Sequence, residues 1–404
     1  MRLDIAPILA ALRRHRITST LLVLQIALTC AIVCNAVFLV TDRIRWMDTP
    51  SGIDEDRIAA IRMSTPGQGV DIHARAEADL AALRAVHGVE DVSTINSLPF
   101  GGRSWTSGVR LDLSEKVPVA SMAMYYGERA PQLLGAQLQE GRWIRPDEYG
   151  WIDDIATKKV ASSHVVMLTQ PAATRLFPGK DAVGQMIYVG DDGYRVVGIV
   201  RRLANADLNR ATIGEAIITP FRMLPTYGAG YVIRTAPGQA GTVLAAAAAA
   251  LKKVDARRVV TEKTTYAEVR SDFFASDRAL AAMLVGACVV LLAITALGIV
   301  GLASFWVAQR RRQIGVRRAL GATRGDVLRY FQTENFLLAS MGIALGMVLA
   351  YGMNVVLMVH YELPRLPWGY LPAGALSLWL LGQLAVLAPA LRAAAVSPVE
   401  ATRG

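Results

Sequence analysis

The chain has 404 residues, 53% hydrophobic and only 19% charged, with a formal net charge of +10. With a mean hydropathy of +0.34, this fits a membrane protein that carries a sizeable water-soluble part. The three cysteines (Cys30, Cys34, Cys288) all lie in apolar runs, so no disulfide framework is implied, and the five scattered histidines (His15, His73, His87, His164, His360) show no metal-ligand spacing.

Residues 1–16, with Arg13, Arg14 and Arg16, are expected to form a cytoplasmic amphipathic helix ahead of a first membrane span at 17–41. A bilayer core of ~30 Å needs ~20 apolar residues, and this run exceeds that. A cleaved signal peptide ending near Ala36 is the alternative, but the run is longer than an ordinary signal segment.

The next segment, 42–278, is long enough for its own core and for two subdomains. Its start reads as strand 57–63, amphipathic helix 72–86 and strand 89–95, with Ala76, Leu80, Leu83 and Val86 on one helix face. A similar pattern returns as strands 216–221 and 231–234, helix 240–254 and strand 258–261. Between them, MIYVGDDGYRVVGIV reads as a hairpin turning at 190–193. We therefore expect an α+β domain of two subdomains between the first and second of four membrane helices. The flanks 42–124 and 211–265 build one, and a β-rich segment, 125–210, is inserted as the other. Asp153-Asp154 and Asp191-Asp192 read as solvated turn carboxylates rather than a metal or catalytic pair.

A helical pattern begins near 266 and runs into the second span, 279–308. Thirty helical residues measure ~45 Å, so this helix must tilt or rise out of the membrane. A continuous helix from about 266 to 308 is the expectation. The third span, 327–360, carries Gly342 and Gly346 in GIALG, a spacing suited to close helix packing in lipid. It also carries the intramembrane polar residue Glu334, costly there unless it is paired or hydrated. A turn at 361–369, a fourth span at 370–391 and a tail at 392–404 complete the chain.

The arginines decide orientation. They precede span one, cluster at 310–318 and recur at Arg392 and Arg403, which places all three regions and both termini in the cytoplasm and exports 42–278. The cluster itself, RRRQIGVRRALGAT at 310–323, reads as a short helix within a cytoplasmic segment 309–326. Gly321 suits its left-handed stop, and Thr323 with Asp326 suits the start of the next helix. Juxtamembrane arginines also attract anionic lipid. Nucleic acid is a poor partner, because no aromatics are interleaved and the loop is pinned to a membrane.

RRRQIGVRRALGATRGDVLRYFQTENFLLASMGIALG resembles the MacB/FtsX-type ABC transporter permease family, whose motif has the form R-R-x-E-I-G-[IL]-R-R-A-[LI]-G-A. GERAPQLLGAQLQEGRWIRPDE (127–148, with Gly141 and Arg142), RLFPGKDAVGQMIYVGDDGYRVVGIV (175–200) and PALRAAAVSPVEATR (389–403) are similar to further family segments in the same order. The resemblance implies that Arg310, Arg311, Arg312, Gln313, Ile314, Gly315, Arg317, Arg318, Ala319, Leu320 and Gly321 form a coupling helix docked on an ABC ATPase. It further implies a second permease subunit, identical or not, and leaves room for a periplasmic adaptor and an outer-membrane duct. ATP-driven closure would then move the periplasmic domains, a mechanotransmission serving efflux or export from the bacterial inner membrane. An FtsX-like regulator of a periplasmic enzyme is the alternative. No G-x-x-x-x-G-K-[ST] loop is present, and Pro178-Gly179-Lys180-Asp181 lacks its spacing. The expectation is a chain that is not itself an enzyme, binds no cofactor or metal, and meets ATP and Mg²⁺ only on a separate ATPase. Gln313 stands where the family usually has Glu, which would weaken or alter a contact and fits one half of a heterodimer. No nucleophile–base signature supports a membrane-bound enzyme.

Overall fold

The structure, a computed structural model, describes residues 16–64, 71–103, 105–157, 163–205, 209–361 and 365–395. The expected helix at 1–16, apart from Arg16, and most of the tail, including Arg403, lie outside the described residues, as do residues 362–364 of the expected turn.

In chain order, α1 (Arg16–Met47) is followed by β1 (Ile58–Ser64), α2 (Ile72–Arg84), β2 (Val89–Ile95), β3 (Thr106–Arg110) and β4 (Ala120–Tyr125). Then come α3 (Ala130–Leu133), β5 (Leu138–Gly141), β6 (Gly150–Trp151), α4 (Ile152–Ala156), β7 (Val165–Thr169), α5 (Gln170–Leu176), β8 (Met186–Val189) and β9 (Asp192–Val200). Next are β10 (Ala216–Ile218), β11 (Phe221–Arg222), β12 (Gly230–Thr235), α6 (Ala240–Val254), β13 (Val259–Thr265) and α7 (Tyr266–Phe273). The chain closes with α8 (Ala275–Gln309), α9 (Arg311–Ala319), α10 (Arg324–Tyr361) and α11 (Tyr370–Ala395).

Two compact units result: residues 1–47 with 277–404, and residues 48–276. In the first, α1, α8, α10 and α11 are each long and apolar enough to cross a membrane. Their shared core includes Ile26, Cys30, Cys34, Phe38, Ile299, Leu338, Ile343 and Leu378. Hydrophobicity does not drive association between helices in lipid, so close approach and polar contacts must hold them. Thr29 and Thr295 hydroxyls meet at 2.8 Å, and the Asn35 amide donates to the Ala350 carbonyl at 3.0 Å. Trp379 Nε1 donates to Ser340 Oγ at 3.1 Å.

In the second unit, an antiparallel sheet in the order β13-β1-β12-β2 packs against α2 and α6 around Ile61, Leu83, Tyr231, Ile233, Val243 and Leu251. The buried Asp79 of α2 accepts from the Tyr231 hydroxyl and, at 2.5 Å, from buried Arg258. Burial and the neighbouring Asp79 carboxylate both push the Tyr231 hydroxyl pKa up.

The larger sheet runs β5-β9-β7-β10-β4-β3-β8, and β8 also pairs with β9, so the pairings close on themselves. The nine-residue β9 makes this possible: its first half pairs with β8 and its second half with β5. Gly190-Asp191 forms the β8–β9 turn, with Gly190 at φ +62°. The core holds Val109, Met122, Val166, Leu168, Leu176, Ile187, Val196 and Ile217.

The structure departs from the sequence expectations in three places. The expected strand 216–221 is two strands in two sheets, β10 in the large one and β11 beside β6. Pro220 lies between them and has no N–H for a ladder. Strands β3, β4 and β10, placed by their sequence position in the flanks, pair into the large sheet, so the boundaries at 124 and 211 do not separate the two sheets. The expected unbroken helix from 266 to 308 is interrupted at Phe274, whose ring is buried against Phe100 and Phe273. The preceding α7 is a separate element with its own capping box, Thr265 and Glu268.

Candidate functional site: the arginine helix

The arginine cluster forms α9, entered by a turn at Arg310 directly after α8. It stops where its chemistry says it should. Gly321 sits at φ +99°, its N–H donates to the Arg318 carbonyl, and the Ala322 N–H donates to the Arg317 carbonyl, both at 3.1 Å. That is a Schellman ending, which satisfies the last carbonyls. The Asp326 N–H then donates to Thr323 Oγ1 at 3.2 Å while the Thr323 N–H donates to Asp326 at 3.0 Å, which starts α10.

One face of α9 is seated. Ile314 and Gly315 are buried, and Ile314 packs with Val327 and Phe331 of α10 and with Ala390, Ala393 and Ala394 of α11. Three of the arginines hold this seat. Arg310 is paired at 3.1 Å with Glu334, whose side chain is only 1% exposed, and also lies over Trp306 at 5.6 Å. Arg317 stacks over the Tyr330 ring at 5.2 Å. Arg318 donates to the Ala394 carbonyl at 3.1 Å, one of the last carbonyls of α11. Glu334 therefore serves as the buried counter-charge of Arg310. Nothing in the spacing of two residues 24 positions apart separates this pairing from a carboxylate reaching to the membrane surface.

The other face is open. Arg311, Arg312, Gln313, Ala319 and Gly321 are exposed. With them Val316 is 46% and Leu320 83% exposed. Apolar side chains ringed by arginines on an outward helix face form a surface suited to a protein partner carrying acidic groups around an apolar recess. Sequence reasoning named the helix but not its seat; the spacing of Ala390, Ala393 and Ala394 was the available signal, since three alanines on one face of α11 leave room for Ile314.

Gly342 and Gly346 lie on the face of α10 that meets α1. A Cβ on Gly342 would come within 2.8 Å of Ile26, and one on Gly346 within 2.5 Å of Cys30 Cβ and 2.7 Å of the Ala27 carbonyl oxygen.

Two family descriptions match the chain: a MacB-like periplasmic core domain over residues 19–257 and an FtsX-like permease C-terminal region over 285–398. The macrolide export ATP-binding/permease protein MacB of Chromobacterium violaceum is 29% identical over 283 residues, 67% of this chain and 41% of that protein. The MacB of Shewanella oneidensis is 24% identical, covering 77% of this chain and 48% of that protein. The uncharacterized ABC transporter permease YvrN of Bacillus subtilis is 24% identical, covering 76% of this chain and 84% of that protein. The chain thus spans less than half the length of these two MacB relatives. With both matched regions in the expected order and the first covering more than half of its residues, the chain belongs to the MacB/FtsX-type ABC transporter permease family.

Proposed function

We propose that this chain is the permease part of a MacB-like exporter in the bacterial inner membrane, with α9 as the coupling helix that receives an ABC ATPase. The observation that supports this most directly is the split character of α9, seated by Ile314 and open at Val316 and Leu320. A helix serving only to fix topology has no use for exposed apolar residues among its arginines. Arg16, the 310–318 cluster and Arg392 support a cytoplasmic side for this face and an exported side for 48–276. Two subdomains, built on the four-stranded sheet and the closed larger sheet, form the exported part.

ATP and Mg²⁺ belong to the ATPase in this reading, and its closure drives two permease subunits together. The names of the MacB relatives, macrolide export proteins, favour export as the work done. Gln313 lies on the open face, so its departure from the family Glu alters the docking surface and not the seat.

The test is co-purification with the candidate ATPase from membranes. Val316→Glu/Leu320→Glu is expected to lose the ATPase while the chain stays inserted. Retention of the ATPase at native level by this double variant would overturn the docking assignment. Arg317 and Arg318 are poorer choices, because they hold α9 in place.

A further inference from the structure

Away from the membrane unit, the fold of residues 48–276 brings together three side chains that the sequence keeps far apart. His73 lies in the first turn of α2, and Asp153 and Asp154 lie in the first turn of α4. One ligand atom from each falls within 4.8 Å of the other two. The imidazole is held in position: it stacks on Trp151 at 4.7 Å with the planes 7° apart, and the α2 backbone beneath it is fixed by Asp71, which accepts from the His73 and Ala74 N–H groups. Its Nε2 is turned to Asp153, 2.9 and 3.1 Å from the two carboxylate oxygens. The Asp154 carboxylate has no hydrogen-bond or ion-pair partner among the described residues. The nearby cation Arg222, whose guanidinium lies 5.6 Å from the Trp151 ring centre, is paired with Glu128 at 2.9 Å.

We infer that His73, Asp153 and Asp154 form a binding site for a divalent transition-metal ion of the zinc type. One imidazole nitrogen with two carboxylates suits zinc or cobalt, whereas magnesium and calcium take oxygen donors alone. Three protein ligands leave a coordination position for water, and side-chain exposures of 28% for His73 and 16% for Asp153 leave the ion a way in. The bound ion would tie α2, which packs on the four-stranded sheet, to α4, which follows β6, by a link that the His73–Asp153 hydrogen bond alone supplies more weakly. The site is independent of the ATPase-docking reading.

The pair without a metal needs only His73 and Asp153; the metal site also needs Asp154, and that difference is the test. The full-length chain, purified in detergent and stripped of metal, is titrated with Co²⁺ by visible absorption and with Zn²⁺ by calorimetry. The native chain is expected to take up a single equivalent of each. His73→Ala and Asp154→Asn are each expected to weaken Zn²⁺ binding by more than the ~10-fold typical of an outer-shell change, while circular dichroism stays native for Asp154→Asn. No uptake by the native chain, undiminished binding by Asp154→Asn, or Mg²⁺ binding as tight as Zn²⁺ would each overturn the site. Should His73→Ala fail to fold, Asp154→Asn alone decides.

Discussion

Gly346 shows how a single residue sets the spacing of two membrane helices. Its missing side chain is replaced by Cys30 and the Ala27 carbonyl of α1, both closer than any Cβ tolerates. Gly346→Leu is therefore expected to push α1 and α10 apart, at a cost of about 1–3 kcal/mol or more from overpacking, read as a lower melting temperature of the detergent-purified chain. Gly352, on the same helix with nothing near its missing Cβ, should tolerate the same change. At the Arg310–Glu334 pair, removing one partner leaves a charge in a poorly solvated place. Glu334→Ala is expected to cost ~3–5 kcal/mol, whereas Arg310→Met/Glu334→Leu together should cost far less; thermal melts of the three chains compare them directly. A single variant as stable as the native chain would mean that water already reaches the pair. Gly141 and Arg142, which carry part of the family resemblance, have a local structural explanation. Gly141 at φ +72° lies where a Cβ would meet the Val197 carbonyl oxygen at 2.4 Å, and Arg142 holds Glu148 with two bonds of 2.7 and 2.6 Å. The bonds from Arg142 lower the Glu148 pKa.

At the scale of the element, α9 shows what local chemistry can and cannot specify. Its stop at Gly321 and the restart at Thr323 and Asp326 follow from residue types a few positions apart, so they are legible in the sequence. Which arginines point outward is not legible, because it depends on where α10 and α11 lie. Arg310, Arg317 and Arg318 are taken up by Glu334, Tyr330 and the Ala394 carbonyl, which leaves Val316 and Leu320 to distinguish the outer face. The docking test therefore belongs on those two residues. The break at Phe274 has the same origin. The helical pattern on either side is unbroken in sequence, but the single residue between α7 and α8, Phe274, turns its ring into a buried contact with Phe100.

At the scale of the whole molecule, the two units differ in what holds them. Residues 48–276 carry two sheets with dense cores, centred on Ile233 and Leu251 in one and on Val166 and Ile217 in the other. This part is expected to fold when expressed alone and to melt cooperatively in the absence of detergent; aggregation or a melt without cooperativity would show that it needs the membrane helices. In the membrane unit, α8 leaves Met283, Val289, Val290, Ile294 and Leu297 exposed, a surface for lipid or for the second permease subunit of the proposed assembly.

The sequence by itself determined the long apolar helices, the basic loop between two of them, the caps of that loop and most strands of the MacB-like core domain. All of these depend on hydropathy, residue period and turn chemistry over a few neighbouring positions. It could not determine sheet membership. Thr106–Arg110 (TSGVR) has no apolar alternation to mark it as a strand, and only tertiary pairing put it beside Ala120–Tyr125 and Met186–Val189. Nor could it bring Glu334 to Arg310, or His73 to Asp153 across 80 positions, because contacts between distant residues exist only once the chain has closed those loops.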